Sequence, residues 1–328
     1  MAFVLCLPFA LIVLSLTLGL YPISVENVMR ALLSPFNPAF AEGVPATELT
    51  LVLRVRLPRI LAGALIGASL AGTGVAFQGI FKNPLVDANL LGVMNGAGFG
   101  AALALLMGAS SATVQASAFA FGLLAVLLAY AGSRLYDSAP MVVLTLMGIL
   151  IGSFFGSLIS LTKYLADPLN TLPAITFWIL GGLTGVTWGV IPTLAIITLA
   201  GIACLWALRW RLNVLSMGDA EASTLGMNPT RLKLVFIVCA TLMTAAAVSV
   251  GGVIGWIGLV IPHAARFLVG PDHRRLLPVA LALGASFLLV IDNISRALLS
   301  VEVPLGILTG LVGVPLLILL LRRSRSGW

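Results

Sequence analysis

Residues 209–233 read RWRLNVLSMGDAEASTLGMNPTRLK, a long polar interruption in a chain that is apolar nearly from end to end. The stretch opens with Arg209 and Arg211 and closes with Arg231 and Lys233. Basic residues beside apolar spans stay on the cytoplasmic side, so a cytoplasmic loop is expected here. Within it, Gly218 and Asp219 precede Ala220-Glu221-Ala222-Ser223-Thr224-Leu225. That order predicts a short helix with acidic residues in its first turn and Gly226 as its C-terminal stop. Asn228-Pro229 predicts a turn, and Thr230 can cap the helix that re-enters the membrane. A short helix with few charges and a Leu225-Gly226-Met227 tip suits a protein partner; a solvated connector fits the same residues.

Outside this stretch the composition is that of an integral membrane protein. Of 328 residues 60% are hydrophobic and 9% charged, against about 25% charged in a soluble domain; the mean hydropathy is +1.14. Apolar runs of roughly 20 residues without alternation exclude a β-barrel and predict an all-α bundle. The 34 glycines and 17 prolines suit close helix contacts and kinks. The net charge of +7 lies mostly at span ends, so it is no nucleic-acid footprint. Cys6, Cys204 and Cys239 lie in apolar runs, with neither metal-ligand spacing nor an obvious pairing, and read as small core residues.

Spans are expected at 3–20, 59–80, 92–108, 114–133, 141–163, 188–208, 234–250, 252–268, 278–297 and 305–321, about ten in all. The first lacks a basic leader and reads as a retained helix, followed by a Pro-rich polar loop at 21–57. Residues 164–187 suit a short helix at the outer interface, anchored by Phe177 and Trp178. Placing 209–233 inside puts twelve basic residues in the cytoplasm and six outside, with both termini inside. The six outside are Arg30, Arg54, Arg56, Arg59, Lys163 and Arg296.

Little covalent chemistry is encoded. The chain has no G-x-x-x-x-G-K-S/T loop, so ATP binding of the P-loop kind is not expected of it. Only Asp292 among eleven acidic residues falls clearly within a span, four residues before Arg296, which suits a local ion pair. His263, after Pro262, suits a structural hydrogen bond better than a metal site. Arg54, Arg56 and Arg59 read either as interfacial anchors or as an exposed cationic patch that docks an acidic partner, with Arg296 able to join it. Small residues recur at four-residue spacing at Gly63/Gly67, Gly92/Gly96/Gly100, Gly306/Gly310 and Gly148/Gly152/Gly156/Ser160. Packing explains most of these faces. The last, with Ser153, Ser157 and Thr162 beside it, is the candidate lining of a solute path.

Several stretches, in order over most of the length, resemble the iron-chelate uptake permeases, the transmembrane subunits of type II ABC importers. They are RLPRILAGALIGASLAGTGVAFQGIFKNPL (56–85), LLGVMNGAGFG (90–100), GDAEASTLGM (218–227), GGVIGWIGLVIPHAAR (251–266), DHRRLLP (272–278) and PLGILTGLVGVPLLILLLRR (304–323). The first span, 21–53 and 109–140 match only in character.

The resemblance implies one permease domain over 1–328 of about ten transmembrane helices, with a coupling-helix loop at 212–230. It implies a homodimer in a bacterial or archaeal inner membrane and two cytoplasmic ATPase subunits that hold ATP and Mg, this chain holding no cofactor. An external binding protein delivers a ferric siderophore, haem, cobalamin or related complex; an oxyanion such as molybdate is the alternative within the fold. A carrier or channel working alone is the alternative from another class. Asp219, Ala220, Glu221, Ala222, Leu225, Gly226 and Met227 match the coupling helix. Arg56, Arg59 and Arg296 match binding-protein contacts, Asn83 and Leu85 an inner gate, and Gly148 to Ser160 the helix along the path.

Overall fold

A computed structural model describes residues 2–19, 21–135, 140–297 and 301–324. Its helices run in chain order α1 (Ala2–Thr17), α2 (Val25–Leu33), α3 (Ala46–Thr50), α4 (Leu57–Phe81), α5 (Val93–Leu106), α6 (Ser111–Ser133) and α7 (Pro140–Leu165). They continue with α8 (Thr171–Leu180), α9 (Ile191–Met217), α10 (Asp219–Thr224), α11 (Pro229–Gly251), α12 (Ile257–Val269), α13 (His273–Ala297) and α14 (Leu305–Ser324). Among the described residues no strand is present.

Among the described residues, seven helices are long and apolar enough to cross a membrane. The 25 residues of α4 reach about 38 Å at 1.5 Å per residue, beyond the ~30 Å hydrocarbon thickness. The other three expected spans correspond to the shorter apolar helices α1, α5 and α12, and α8 is the short helix expected within 164–187. Three expectations need correction. The polar loop at 21–57 is largely helical: Ser24 caps α2, whose Val28 and Ala31 are buried, and a wide π-helical turn over Leu51–Arg56 joins α3 to α4. Prolines at segment boundaries, where they start rather than break helices, hid this. The span at 252–268 begins as helix only at Ile257, because Gly252 and Trp256 take positive φ of 69° and 72°. Irregular backbone at membrane depth requires cover by protein; here Gly182 N–H donates to the Gly251 carbonyl and Leu305 N–H to the Gly181 carbonyl. Finally α9 runs on to Met217, absorbing 209–217 of the expected loop.

The buried centre is α4, which packs against α9, α11, α12 and α13. A Cβ at Gly67 would lie 2.2 Å from the Gly284 carbonyl oxygen, and one at Gly74 only 2.1 Å from that of Gly258. Only glycine permits these backbone approaches to α13 and α12. The helices α4 and α13 run antiparallel, since Arg59 meets Asp292 at one end and Gly79 faces His273 at the other. The α5 glycines serve the same purpose: Cβ atoms at Gly96 and Gly100 would strike carbonyls of α6. Packing is thus the role of these faces.

Candidate functional site

The short helix α10 lies at the His273 end of the bundle, following the last turn of α9, where Asn213 accepts from the His273 backbone N–H at 2.8 Å. Its C-terminus closes as a Schellman motif. Met227 N–H donates to the Ala222 carbonyl and Gly226 N–H to the Ser223 carbonyl, both at 3.0 Å, with Gly226 at φ +73°. Ala222 is fully buried and Met227 half-buried, so these two hold the helix to the bundle. Asp219, Ala220, Glu221, Leu225 and Gly226 face outward. Lys233 ties the helix to α11 through Asp219 at 2.6 Å. The re-entering helix is capped by Asn228, which accepts from Arg231 N–H at 3.0 Å, with Pro229 in the first helical position. Thr230 is not the cap; Pro229 needs no N–H there, so the residue before it takes that role.

The opposite end holds Arg56, Arg59 and Arg296, and here the exposed patch is corrected. All three are buried, and of the three arginines in LRVRLPR only Arg54 stays exposed. The C-terminus of α1 supplies part of the reason, because a helix end leaves carbonyls without partners. Arg56 donates to the Leu16 carbonyl at 2.6 Å and to that of Tyr21, and Arg296 donates to those of Ser15 and Leu18. Internal carboxylates supply the rest. Arg59 donates from Nε and Nη2 to Asp292 Oδ1 at 3.0 and 2.8 Å. It also reaches Glu302 in a fork, Nη1 to Oε1 at 2.7 Å and Nη2 to Oε2 at 2.9 Å. Asp292 lies 3.1 Å from Arg296, as their spacing suggests, but Arg59 is its second partner.

Glu302 accepts a further bond from Thr184 Oγ1 at 2.8 Å. Burial pushes its carboxyl upward, but hydrogen bonds from Arg59 and Thr184 and the Arg59 charge outweigh this and hold it below the usual carboxylate range. The cluster borders a cavity of about 430 Å³ that Arg59, Trp178, Thr184, Gln115 and Glu302 help to line. Glu302 and Thr184 were not singled out in the sequence. A lone carboxylate in VEVPLG, beside an unusual surplus of cations at the same end, was the available signal.

The α7 stripe divides in two. A Cβ at Gly148 would lie 2.2 Å from the Leu90 carbonyl, and Gly152 is buried beside Gly92, its carbonyl accepting from Asn95 at 2.9 Å. These two are packing contacts against the start of α5. Gly156 meets nothing within 4 Å and Ser160 is exposed, its hydroxyl donating to the Gly156 carbonyl. Asn83 and Leu85 sit in the exposed turn after α4, where Asn83 Oδ1 accepts from Leu85 N–H at 2.9 Å. Asp87 follows; burial pushes its carboxyl up against the lowering bonds from the N–H groups of Asn89 and Leu90. His263 Nδ1 bonds to the Leu259 carbonyl one turn back at 2.9 Å, the structural role expected of it. Cys204 and Cys239, distant in sequence, line one groove between α9 and α11.

A bundle of this kind, with a tethered short helix at one end and a charged cluster at the other, can be compared with known proteins. The model of the FecCD transport family matches residues 6–323. The chain belongs to the FecCD transport family. The molybdate import permease MolB of Haemophilus influenzae is 36% identical over 315 residues, 96% of this chain and 93% of that protein. The cobalamin import permease BtuC of Halobacterium salinarum is 38% identical, covering 85% and 75% of the two chains. A solved inward-facing metal-chelate type ABC transporter superposes with a TM-score of 0.88 at 35% identity, covering 98% of each chain. The chain is therefore an ABC importer permease with the type II fold, not an enzyme, and ATP hydrolysis sits in a separate subunit. This membership displaces the carrier working alone.

Proposed function

We propose that this FecCD permease works as a homodimer in the cytoplasmic membrane, with both termini and α10 on the cytoplasmic side. Two ATPase subunits holding ATP and Mg seat α10, and an external binding protein docks at the Arg56, Arg59 and Arg296 end. Metal chelates of the siderophore, haem or cobalamin class are the proposed solutes. The observation that carries the reading is α10: a helix of six residues anchored from beneath by Ala222 and Met227, offering Asp219, Ala220, Glu221, Leu225 and Gly226 to a partner. A rigid knob on a rigid base transmits a push, whereas a free loop absorbs it. The open half of α7, at Gly156 and Ser160, supports a path there; Gly148 and Gly152 would join it only if α7 separates from α5. Asn83 and Leu85, free of core packing, suit a gate that moves.

A second reading, an oxyanion of the molybdate kind, is favoured by the match to MolB over 96% of this chain. Uptake into proteoliposomes holding the permease, its ATPase and its binding protein decides between them. ATP-dependent accumulation of a ferric siderophore, haem or cobalamin without molybdate supports the first, and the reverse supports the second. Accumulation without the ATPase would overturn the importer reading.

A further inference from the structure

The arginine cluster carries its own counter-charges, and they are unequally placed. Arg59 and Asp292 are buried, with side-chain exposures of 7% and 1%, whereas the Glu302 side chain is 37% exposed. Two guanidiniums, Arg59 and Arg296, face two carboxylates, so these four groups balance as folded, while Arg56 is held by the Leu16 and Tyr21 carbonyls and keeps its charge uncompensated. Arg59 has five N–H donors. Its bonds to Asp292 engage Nε and Nη2, and its fork to Glu302 engages Nη1 and Nη2. Four of the five N–H groups are engaged and the fifth is a single one on Nη1, so a carboxylate arriving from outside finds no free two-pronged edge of Arg59 unless Glu302 leaves. Asp292 cannot be exchanged in this way, because it is buried beneath both arginines.

We propose that Glu302 is a built-in competitor for the carboxylate of the docking protein: binding at Arg59 proceeds by exchange of Glu302 for the incoming acidic side chain. The inference rests on the reading of this end as the docking surface and adds the residue that sets its affinity. An exchange mechanism differs from simple addition. Neutralisation by Glu302 suppresses binding of stray anions, so only a partner with correctly spaced carboxylates gains enough to displace it. Exchange also has a consequence within the fold. Released Glu302 gives up the Thr184 hydroxyl, and with it one tie between the 181–187 segment and the residues that lead into α14. The Leu305 N–H bond to the Gly181 carbonyl then holds these two pieces without its ionic neighbour. Docking is thereby sensed at the outer start of α14 without any change at α4.

The test uses the full chain in lipid nanodiscs and a short acetylated tri-glutamate peptide as probe. Glu302→Gln removes the competing charge and keeps the shape. It should bind the probe about tenfold more tightly than the unmodified chain, with a steeper loss on adding salt. Thr184→Val, which removes only the hydroxyl that orients Glu302, should shift affinity in the same direction by a smaller factor and carries the test if Glu302→Gln does not fold. In the Glu302→Gln background, Arg59→Gln should abolish the gain. Equal, measurable binding by the unmodified chain and both variants would overturn the competitor role and leave the docking reading intact. No binding by any of them would overturn both. A gain that survives Arg59→Gln would place the peptide elsewhere and overturn the exchange.

Discussion

The two ends of the bundle are held by opposite means. At the α10 end, organisation is local: a Schellman closure, an N-cap and one ion pair, all within residues 218–233. At the Arg59 end, organisation is long-range, with Arg59 bonded to partners 233 and 243 residues away. The first end costs little to disturb and keeps its carboxylates, Asp219 and Glu221, toward water, with Lys233 buried beneath. The second buries four ionised groups and depends on each having its partner. A surface that must be gripped and pushed suits the first construction, and a surface whose charge must be hidden until a partner arrives suits the second.

That contrast is sharpest for Asp292→Ala. Two guanidiniums would remain buried with one shared carboxylate gone, and breaking a buried pair costs about 3–5 kcal/mol. Thermal unfolding in detergent should show a large fall in midpoint; a fall like that of a surface substitution would break the distinction between the ends. At the other end, Gly226→Val forces a β-branched residue into the left-handed region, at about 1–2 kcal/mol. Nothing lies within 4 Å of its added Cβ, so the strain is in the backbone alone. The expected result is a nearly unchanged unfolding midpoint with ATP hydrolysis uncoupled from uptake; normal coupling would count against α10 as the contact. Asn228→Ala removes the α11 cap for about 1 kcal/mol, visible as faster amide exchange over 230–232.

The smallest effect is the response to acid. The Glu302 carboxyl is depressed when folded, so its tie is fully present above the ordinary glutamate pKa and is lost as pH falls through the lower, folded value. Amide exchange over 181–186 should rise in that acidic window and stay flat around neutrality. A rise centred near pH 7 would contradict the assignment.

The same contrast explains what could be read from the chain. The α10 module was legible because capping, turn and stop signals act over a few neighbours: Gly226 was recognisable as a stop, and only the cap moved, from Thr230 to Asn228. Spans were legible from length and hydropathy, except where Gly252 and Trp256 delay α12. The burial of Arg56, Arg59 and Arg296 was not legible, since it depends on the carbonyls ending α1 and on Glu302, which sequence distance conceals. The α7 stripe was half legible for a similar reason. Four-residue spacing marks a smooth face, and only the position of α5 decides that Gly148 and Gly152 pack while Gly156 stays open.

The most direct test of the central claim, that α10 is the knob through which a separate ATPase drives this permease, is native mass spectrometry of the chain co-expressed with its candidate ATPase. The expected result is a complex of two permeases and two ATPases that dissociates with Gly226→Val while the permease dimer persists. An ATPase that stays bound and coupled to that variant, or a permease that transports with no ATPase attached, would contradict it.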